Sequence, residues 1–354
     1  MSDLLEQSYE ECKRLNALHG KTYYLATLLL PAKKRPPVHA LYGFARYADE
    51  IVDDLASTLS DDEKAHALRT WGSGVLADLR RGESDDLIGR ALVDTVKTYS
   101  IPLDYFEAFM KSMEMDLTVT RYNNYEELMT YVYGSAVVIG LEMLPILGYS
   151  DPRAIEAATV LGTAFQLANF IRDIGEDIDR GRIYMPLDEL ARFGVSEEML
   201  LKRQLTPQII EAIKFQIARV RDLQAIADAG IQYLDPISRP CIRAASELYC
   251  GIVDEIEANG YDIFNKRAKT STARRARVAP RGGPVRPQDR QEPRRRHPRG
   301  GRAVPGGVRG RPRLAGDQRG GDRPRAARRG RLPDRRRRRS RGRMSRQRFR
   351  AVAG

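Results

Sequence analysis

The sequence predicts an all-α fold built as one large helical domain. Apolar residues recur at three- and four-residue spacing along most of the first 260 positions, the period of helices with one buried face. Convincing alternation of apolar and polar residues, which half-buried strands show, is absent from the sequence. The predicted helices cover residues 38–55, 62–80, 85–99, 104–116, 125–147, 153–178, 206–229 and 236–258.

Glycine and proline separate these helices. Both residue types interrupt helical hydrogen bonding or favour turns, so they mark the ends of the periodic runs. No internal repeat divides the region, and we therefore expect a single domain that ends near residue 270. In chain order the breakers are Pro36-Pro37, Gly82, Pro102, Gly148 to Pro152, Gly181 to Pro186, and Gly260.

Charge divides the chain into two unlike parts. Residues 271–354 contain 30 arginines, no lysine and five acidic residues, whereas residues 1–270 contain 30 basic and 42 acidic residues. The net charge of +13 therefore averages an acidic body and a strongly basic tail. The tail is rich in Arg, Gly, Pro and Ala and cannot bury enough apolar surface to offset chain entropy. We predict a helical domain over 1–270 and a disordered tail over 271–354.

Three origins are compatible with the composition of the tail. It fits a nucleic-acid-binding arm, a basic tether to anionic lipid, or the out-of-frame translation of GC-rich DNA. The body carries 11 lysines among its 30 basic residues and the tail carries none, and the only tail aromatic is Phe349. This contrast favours the frameshift product, and we expect no nucleic-acid binding by the helical domain.

The composition of the body indicates a cytoplasmic protein. The three cysteines form no CxxC pair and no metal-ligand spacing, which favours idle thiols in a reducing compartment. The chain opens on acidic residues without an apolar leader. The most apolar stretch, 137–149, is interrupted by Glu142 and Pro145 and is too short to span a bilayer. Membrane contact is therefore expected to be peripheral at most, at the inner face.

Two rows of acidic residues are the candidate functional site. In the first, Asp49 and Asp53 lie four residues apart, which places both on one face of a helix. Alone this row is a weak indication of function, because acidic pairs are common on solvated helices and Arg46 supplies an ordinary ion-pair partner.

The second row is more informative. Gln166, Asn169, Asp173 and Asp177 step by three, four and four residues, so they form one polar stripe on a helix whose other faces are apolar. Buried carboxylates without compensation would be very costly. Two such rows facing each other could hold several divalent cations, and those cations could hold a diphosphate. Oxygen-only ligands suit Mg²⁺, with Mn²⁺ as a substitute, and no His/Cys spacing supports zinc.

Longer motifs around the rows resemble the squalene/phytoene synthase family over residues 10–270. The first aspartate-rich signature of that family is similar to Tyr42–Asp53, and the second is similar to Asn169–Asp177 followed by Gly181–Pro186. An N-terminal substrate-binding segment is similar to His19–Tyr24. The last core helix of the family is similar to Glu247–Tyr249 followed by Gly260–Phe264.

The resemblance is strongest to bacterial phytoene synthases and implies a fold and a reaction. The fold is that of isoprenoid synthases, an all-α bundle with a central cavity. The reaction joins two geranylgeranyl diphosphates head to head, giving phytoene through a cyclopropyl diphosphate. In this chain the resemblance assigns metal binding to Asp49, Asp53, Asn169, Asp173 and Asp177.

The same resemblance assigns substrate contacts. Arg46 and Arg172 would hold phosphate oxygens, and Tyr131 would stabilise positive charge or relay a proton. The full set of substrate-binding residues implied by the motifs is His19, Lys21, Tyr42, Arg46, Gln166, Asn169, Arg172 and Tyr249.

One segment departs from the family pattern and leaves the substrate open. Many members have glycine where this chain has Val137, and a branched side chain there is expected to narrow or reshape the hydrophobic channel. A squalene, dehydrosqualene or hydroxysqualene synthase that uses farnesyl diphosphate is therefore the alternative function. Nucleic-acid binding through the arginine-rich tail is a more distant one.

Overall fold

The computed structural model describes residues 3–53 and 59–278, without the side chains of Asp53 and Asp61. The described chain is almost entirely helical, and its only bridges of β type are the isolated pairs Arg121–Ile183 and Tyr149–Leu234. The all-α prediction is confirmed. The α-helices are α1 Asp3–His19, α2 Lys21–Thr27, α3 Arg35–Asp53, α4 Asp61–Arg81, α5 Leu87–Tyr99, α6 Leu103–Met115, α7 Tyr125–Val132, α8 Val138–Leu147, α9 Arg153–Asp179, α10 Leu187–Arg192, α11 Glu197–Leu201, α12 Pro207–Gly230, α13 Arg239–Cys250, α14 Ile252–Ala258 and α15 Thr272–Val278.

Helix boundaries differ from the predicted ones in three places. The two prolines at 36 and 37 lie in the first turn of α3. Backbone N–H groups in the first turn of a helix have no intrahelical acceptor, so prolines there remove no helical hydrogen bond. The predicted helix 125–147 is divided by a π-helical turn at Tyr133–Val137. The predicted helix 236–258 is divided at Gly251 into α13 and α14.

Order also continues past the predicted boundary at 270. Helix α15 packs on α13, and the Arg274 guanidinium forms ion pairs with Glu247 at 3.0 Å and Asp254 at 2.7 Å. The sequence places these residues in the arginine-rich tail, but here the arginine has acidic partners on the body. The rest of the predicted tail, 279–354, lies outside the described residues.

The 27-residue helix α9 is the centre of the bundle. Its most extensive contact is with α12, and it also contacts α8, α13, α14 and the π-helical turn. Gly175 allows the segment after α14 to cross close to α9, because a Cβ there would lie 2.9 Å from the Ile263 carbonyl oxygen. This crossing brings the chain beyond residue 264 toward the C-terminal end of α9.

Two stretches are long and apolar enough to span a membrane by length and composition, 125–147 and α9. About half of each apolar window is buried within the bundle, and core helices of globular proteins have the same character. They therefore give little support for a membrane span.

Glu142 on α8 is an acidic side chain in the core. It is fully buried, and neither of its carboxylate oxygens has a hydrogen-bond partner among residues 3–53 and 59–278. Burial raises the pKa of Glu142 well above its ordinary value, so the folded protein keeps this carboxyl protonated where the unfolded chain ionises it. As the pH rises above about 4.3, the unfolded state is favoured by up to about 1.4 kcal/mol per pH unit until the folded group also titrates.

We therefore expect Glu142→Met to raise the melting temperature more at pH 8 than at pH 5. The measurement is a thermal melt of both proteins at the two pH values. Glu198→Gln is the control, because that glutamate side chain is 75% exposed and pairs with Lys202 on the surface. An equal gain at both pH values would show that Glu142 is not a buried neutral acid.

Candidate active site

A cavity of about 610 Å³ runs through the helical bundle. This volume is typical of pockets for small molecules. One wall is α9, which contributes lining residues from Ala154 to Asp177, a distance of about 35 Å at the ~1.5 Å rise of a helix. The cavity is charged at the C-terminal end of α9 and apolar toward its N-terminal end. Apolar lining residues include Ala26, Val38, Leu41, Ile139, Met143, Leu144, Leu147, Ala158, Leu161 and Leu234.

The second acidic row forms the charged end of this wall. Gln166, Asn169, Asp173 and Asp177 all line the cavity, as the spacing on one helical face requires. The row is linked to the π-helical turn, since Gln166 Nε2 donates to Ser135 Oγ at 3.2 Å. The row is therefore a continuous polar surface inside the cavity.

Helix α3 supplies part of the first row. Tyr42, Arg46 and Asp49 line the same cavity as the second row, so the structure brings residues of both motifs together. The Arg46 guanidinium donates to Glu50 at 2.5 Å, an ion pair along the helix. Asp53 ends the helix, but its side chain lies outside the described residues.

Two arginines compensate the charge of Asp173. The Nε of Arg172 lies 2.7 Å and the Nε of Arg267 2.8 Å from Asp173 Oδ1. Burial by itself would raise the pKa of Asp173, but the hydrogen bonds and charges of these guanidiniums outweigh it and lower the pKa. Asp173 is therefore ionised at neutral pH and lies in a cluster of positive charge.

Comparison with known proteins identifies the family. The model of the squalene/phytoene synthase family matches residues 17–274. This chain belongs to the squalene/phytoene synthase family.

Curated relatives and solved structures within this family are similar over most of the chain. The 15-cis-phytoene synthase of Synechococcus elongatus is 37% identical over 283 residues, 77% of this chain and 91% of that protein. The chloroplastic phytoene synthase 1 of Arabidopsis thaliana is also 37% identical, over 78% of this chain and 66% of the plant protein.

Among solved structures, a dehydrosqualene synthase has a TM-score of 0.71 at 25% identity, covering 77% of this chain and 94% of that one. The squalene synthase of Alicyclobacillus acidocaldarius has a TM-score of 0.67 at 25% identity, covering 74% and 97%. The isoprenoid synthase fold expected from the motifs is thus confirmed, and the chain is an enzyme of the prenyltransferase type.

Three residues that the family motifs nominate for substrate contact do not line the cavity. Lys21 is exposed at the start of α2, and His19 lies at the end of α1 with its pKa lowered by burial and by Arg46. Tyr249 lies behind the wall, because its ring packs 4.4 Å from Tyr23 and stacks 4.8 Å from Phe165, both of which are lining residues. Of these three residues, only Tyr249 has ring contacts with lining residues.

Val137 is also absent from the lining of the cavity. It is buried within the π-helical turn, and its neighbours Ser135 and Ala136 line the cavity instead. A Cβ on Gly162 would lie 3.0 Å from the Val137 Cα, so this part of the turn packs closely on α9. Val137 therefore packs where the turn meets α9, and an effect of its branched side chain on the shape of the channel stays a prediction.

Sequence reasoning missed three lining residues at the charged end. Arg267 is in a loop 94 positions after Asp173, and nothing in its local sequence marks it as a partner of that aspartate. Asp116 and Tyr184 are joined by a hydrogen bond of 2.7 Å although 68 positions separate them. Such pairs arise only where the bundle folds distant segments together.

The donor set at the charged end fits a metal ion that takes some of its ligands from the protein and others from a phosphate. Among the described residues, no group of three or more His, Cys, Asp or Glu side chains is arranged to hold an ion by itself. Asn169 Oδ1, however, is buried one turn from the ionised Asp173 and has no hydrogen-bond partner within the part of the chain that the structure describes. A hard cation with one or two protein oxygens and remaining ligands from substrate and water suits this arrangement.

The π-helical turn is what brings Ser135 and Ala136 to the cavity, and it depends on Gly134. A Cβ at that position would lie 2.2 Å from both the Ala108 carbonyl oxygen and Ser112 Oγ. We expect Gly134→Ala to destabilise the protein by about 1–3 kcal/mol, because the clashing carbonyl belongs to the backbone of α6.

Denaturant unfolding would measure this change. Gly74→Ala is the matched control, since among the described residues no atom beyond its own turn of α4 lies within 4 Å of a Cβ built there. That substitution should stabilise the helix by about 0.5–1 kcal/mol. Equal unfolding free energies for Gly134→Ala and the wild type would contradict the packing described here.

Proposed function

We propose that this protein joins two molecules of geranylgeranyl diphosphate head to head and forms phytoene. The similarity to phytoene synthases over more than three quarters of the chain carries this proposal. The cavity supports it, because a charged end beside a long apolar interior suits a molecule with a diphosphate head and a prenyl tail.

The reaction is proposed to depend on Mg²⁺ held by Asp49, Asp53, Asn169, Asp173 and Asp177 together with the substrate. When bound, the metal supplies Lewis acidity that neutralises the departing diphosphate. The orphaned amide oxygen of Asn169 and the ionised carboxylate of Asp173 are the structural features that support these assignments.

The arginines are proposed to bind diphosphate oxygens. Arg46, Arg172 and Arg267 line the charged end, and guanidinium groups match phosphate geometry through paired hydrogen bonds. In the structure Arg172 and Arg267 donate hydrogen bonds to Asp173, and Arg46 donates to Glu50. Substrate binding would replace these carboxylate acceptors by phosphate oxygens. Exchange between anionic partners leaves no cation buried without compensation.

The interior is proposed to protect the cation that remains after the diphosphate departs. Apolar side chains exclude water from the cavity, and the faces of aromatic rings attract positive charge by about 0.5–2 kcal/mol each. Tyr131 lies in this interior and is the residue best placed among the predicted ones to stabilise that charge. The aromatic lining residues are Tyr23, Tyr42, Phe109, Tyr131, Phe165, Phe170 and Tyr184.

The product assay tests the function directly. The purified full-length chain is incubated with Mg²⁺ and geranylgeranyl diphosphate, and the extracted hydrocarbons are identified by chromatography and mass spectrometry. We expect phytoene without any reductant, and none when the divalent cation is removed by a chelator. Absence of any coupled product from this substrate would refute the proposal.

A synthase that uses farnesyl diphosphate is the alternative. The solved dehydrosqualene and squalene synthases at 25% identity favour it. The same assay with farnesyl diphosphate, with and without NADPH, separates the two. A clear preference for farnesyl diphosphate would support the alternative.

Contact with the inner face of a membrane remains part of the proposal, since the product is apolar.

Asp173→Asn is expected to lower turnover by about 100-fold or more, because it removes a carboxylate charge that is proposed to bind Mg²⁺. The measurement is the initial rate of phytoene formation at saturating substrate. Asp179→Asn on the same helix is the control, since that side chain is 67% exposed and pairs with Arg203 outside the cavity. Similar rates for the two variants would remove Asp173 from the proposed metal site.

A further inference from the structure

Asp116, the C-cap residue that follows α6, is a buried carboxylate that lines the cavity. Its two oxygens accept hydrogen bonds from two different tyrosines. The Tyr131 hydroxyl donates to Oδ2 and the Tyr184 hydroxyl donates to Oδ1, each at 2.7 Å. One acidic side chain therefore fixes the direction of two phenolic protons inside the cavity.

The rings of these tyrosines belong to one aromatic cluster. The centroids of Tyr131 and Tyr184 lie 5.5 Å apart, and Phe170 stacks on Tyr184 at 4.4 Å with an angle of 9° between the planes. Phe170 lies on α9 next to Asn169, so the cluster is adjacent to the polar row. All three rings line the cavity.

The hydrogen bonds determine what the tyrosines present to a ligand. A phenol has a single O–H proton, and here it is donated to Asp116, which leaves the oxygen lone pairs and the ring faces for the cavity. Donation to a carboxylate polarises the phenol, and the low dielectric of a buried site strengthens that effect. Ser112 also fixes the Tyr131 backbone, because its hydroxyl donates to the Tyr131 carbonyl oxygen at 3.0 Å.

We propose that Asp116 is a positioning residue that orients Tyr131 and Tyr184 so that their electron-rich surfaces face the allylic cation. The inference rests on the proposed function, because it assigns these tyrosines to the cationic stage of that reaction. Asp116 acts through the tyrosines and has no role in holding the substrate. Its loss should therefore lower kcat and leave KM nearly unchanged.

A third tyrosine provides a matched control. Tyr122 belongs to the same cluster, with its ring 5.9 Å from Tyr131 and 6.0 Å from Tyr184. Its hydroxyl is buried and, within the described part of the chain, has no hydrogen-bond partner. Tyr122 is not a lining residue, so Tyr122→Phe removes the same atom from the same environment without touching the Asp116 network.

The first experiment compares steady-state kinetics of the full chain with geranylgeranyl diphosphate and Mg²⁺. Asp116→Asn keeps the shape of the side chain, but its NH₂ group cannot accept, so one tyrosine loses its acceptor. We expect kcat to fall about 100-fold with KM within about threefold of the wild type. Tyr184→Phe should lower kcat about tenfold, and Tyr122→Phe should stay within about twofold.

A double-mutant cycle then tests whether Asp116 acts through Tyr131. In the Tyr131→Phe background, Asp116→Asn should lower kcat by no more than about tenfold, the loss expected for Tyr184 alone, because one of the two groups it positions is already gone. A kcat within threefold of the wild type for Asp116→Asn alone would overturn the proposal. The same full loss in both backgrounds would overturn it as well.

Two further measurements guard against misfolding and against failure of the proposed reaction. If Asp116→Asn does not fold, the comparison of Tyr184→Phe with Tyr122→Phe decides, and equal activity of these two variants overturns the proposal. NMR of protein labelled at the tyrosine ζ carbons needs no turnover. The resonances of Tyr131 and Tyr184 should shift in Asp116→Asn and stay in place in Tyr122→Phe, and unchanged spectra in both would overturn the proposal.

The NMR result also separates the two hypotheses. A wild-type protein that couples no geranylgeranyl diphosphate refutes the proposed function. In that case the resonance shifts still report whether Asp116 orients the two tyrosines.

Discussion

The structure depends on the compensation of buried negative charge at the C-terminal end of α9. Asp173 and Asp177 lie in the last turns of a 27-residue helix, where the helix dipole disfavours anions. They are also removed from bulk water, which adds a desolvation penalty. In the described structure the guanidiniums of Arg172 and Arg267 meet this demand at Asp173. Buried carboxylates that depend on nearby cations for stability are also suited to bind further cations.

The same constraint explains why distant segments meet at this end of the bundle. Arg267 can reach Asp173 because Gly175 lets the backbone at Ile263 and Phe264 pack directly against α9. The following segment is anchored by α15, whose Arg274 pairs with acids on α13 and α14. Close packing and ion pairing thus cooperate to place one cation over the carboxylate row.

Much of the architecture could be predicted from the spacing of residues. Helical periodicity predicted most of the longer helices, because one face of each must be apolar to be buried, but it missed the 17-residue helix α1. The four-residue steps from Asn169 to Asp177 placed the second row on one face of α9, since that relation follows from helix geometry alone. The short helices and the division of 125–147 by a π-helical turn were not predictable, because they depend on contacts such as that of Gly134 with the α6 backbone.

The sequence by itself determined the helical class, the two acidic rows and the family resemblance, because each is encoded in residues close together along the chain. Only the tertiary structure decided which side chains face the common cavity. In the structure Tyr249 lies behind the wall, Val137 packs in the turn beside α9, and Arg267 and Asp116 belong to the lining. These outcomes depend on how helices cross and on where buried charges find partners, and both are properties of segments far apart in sequence.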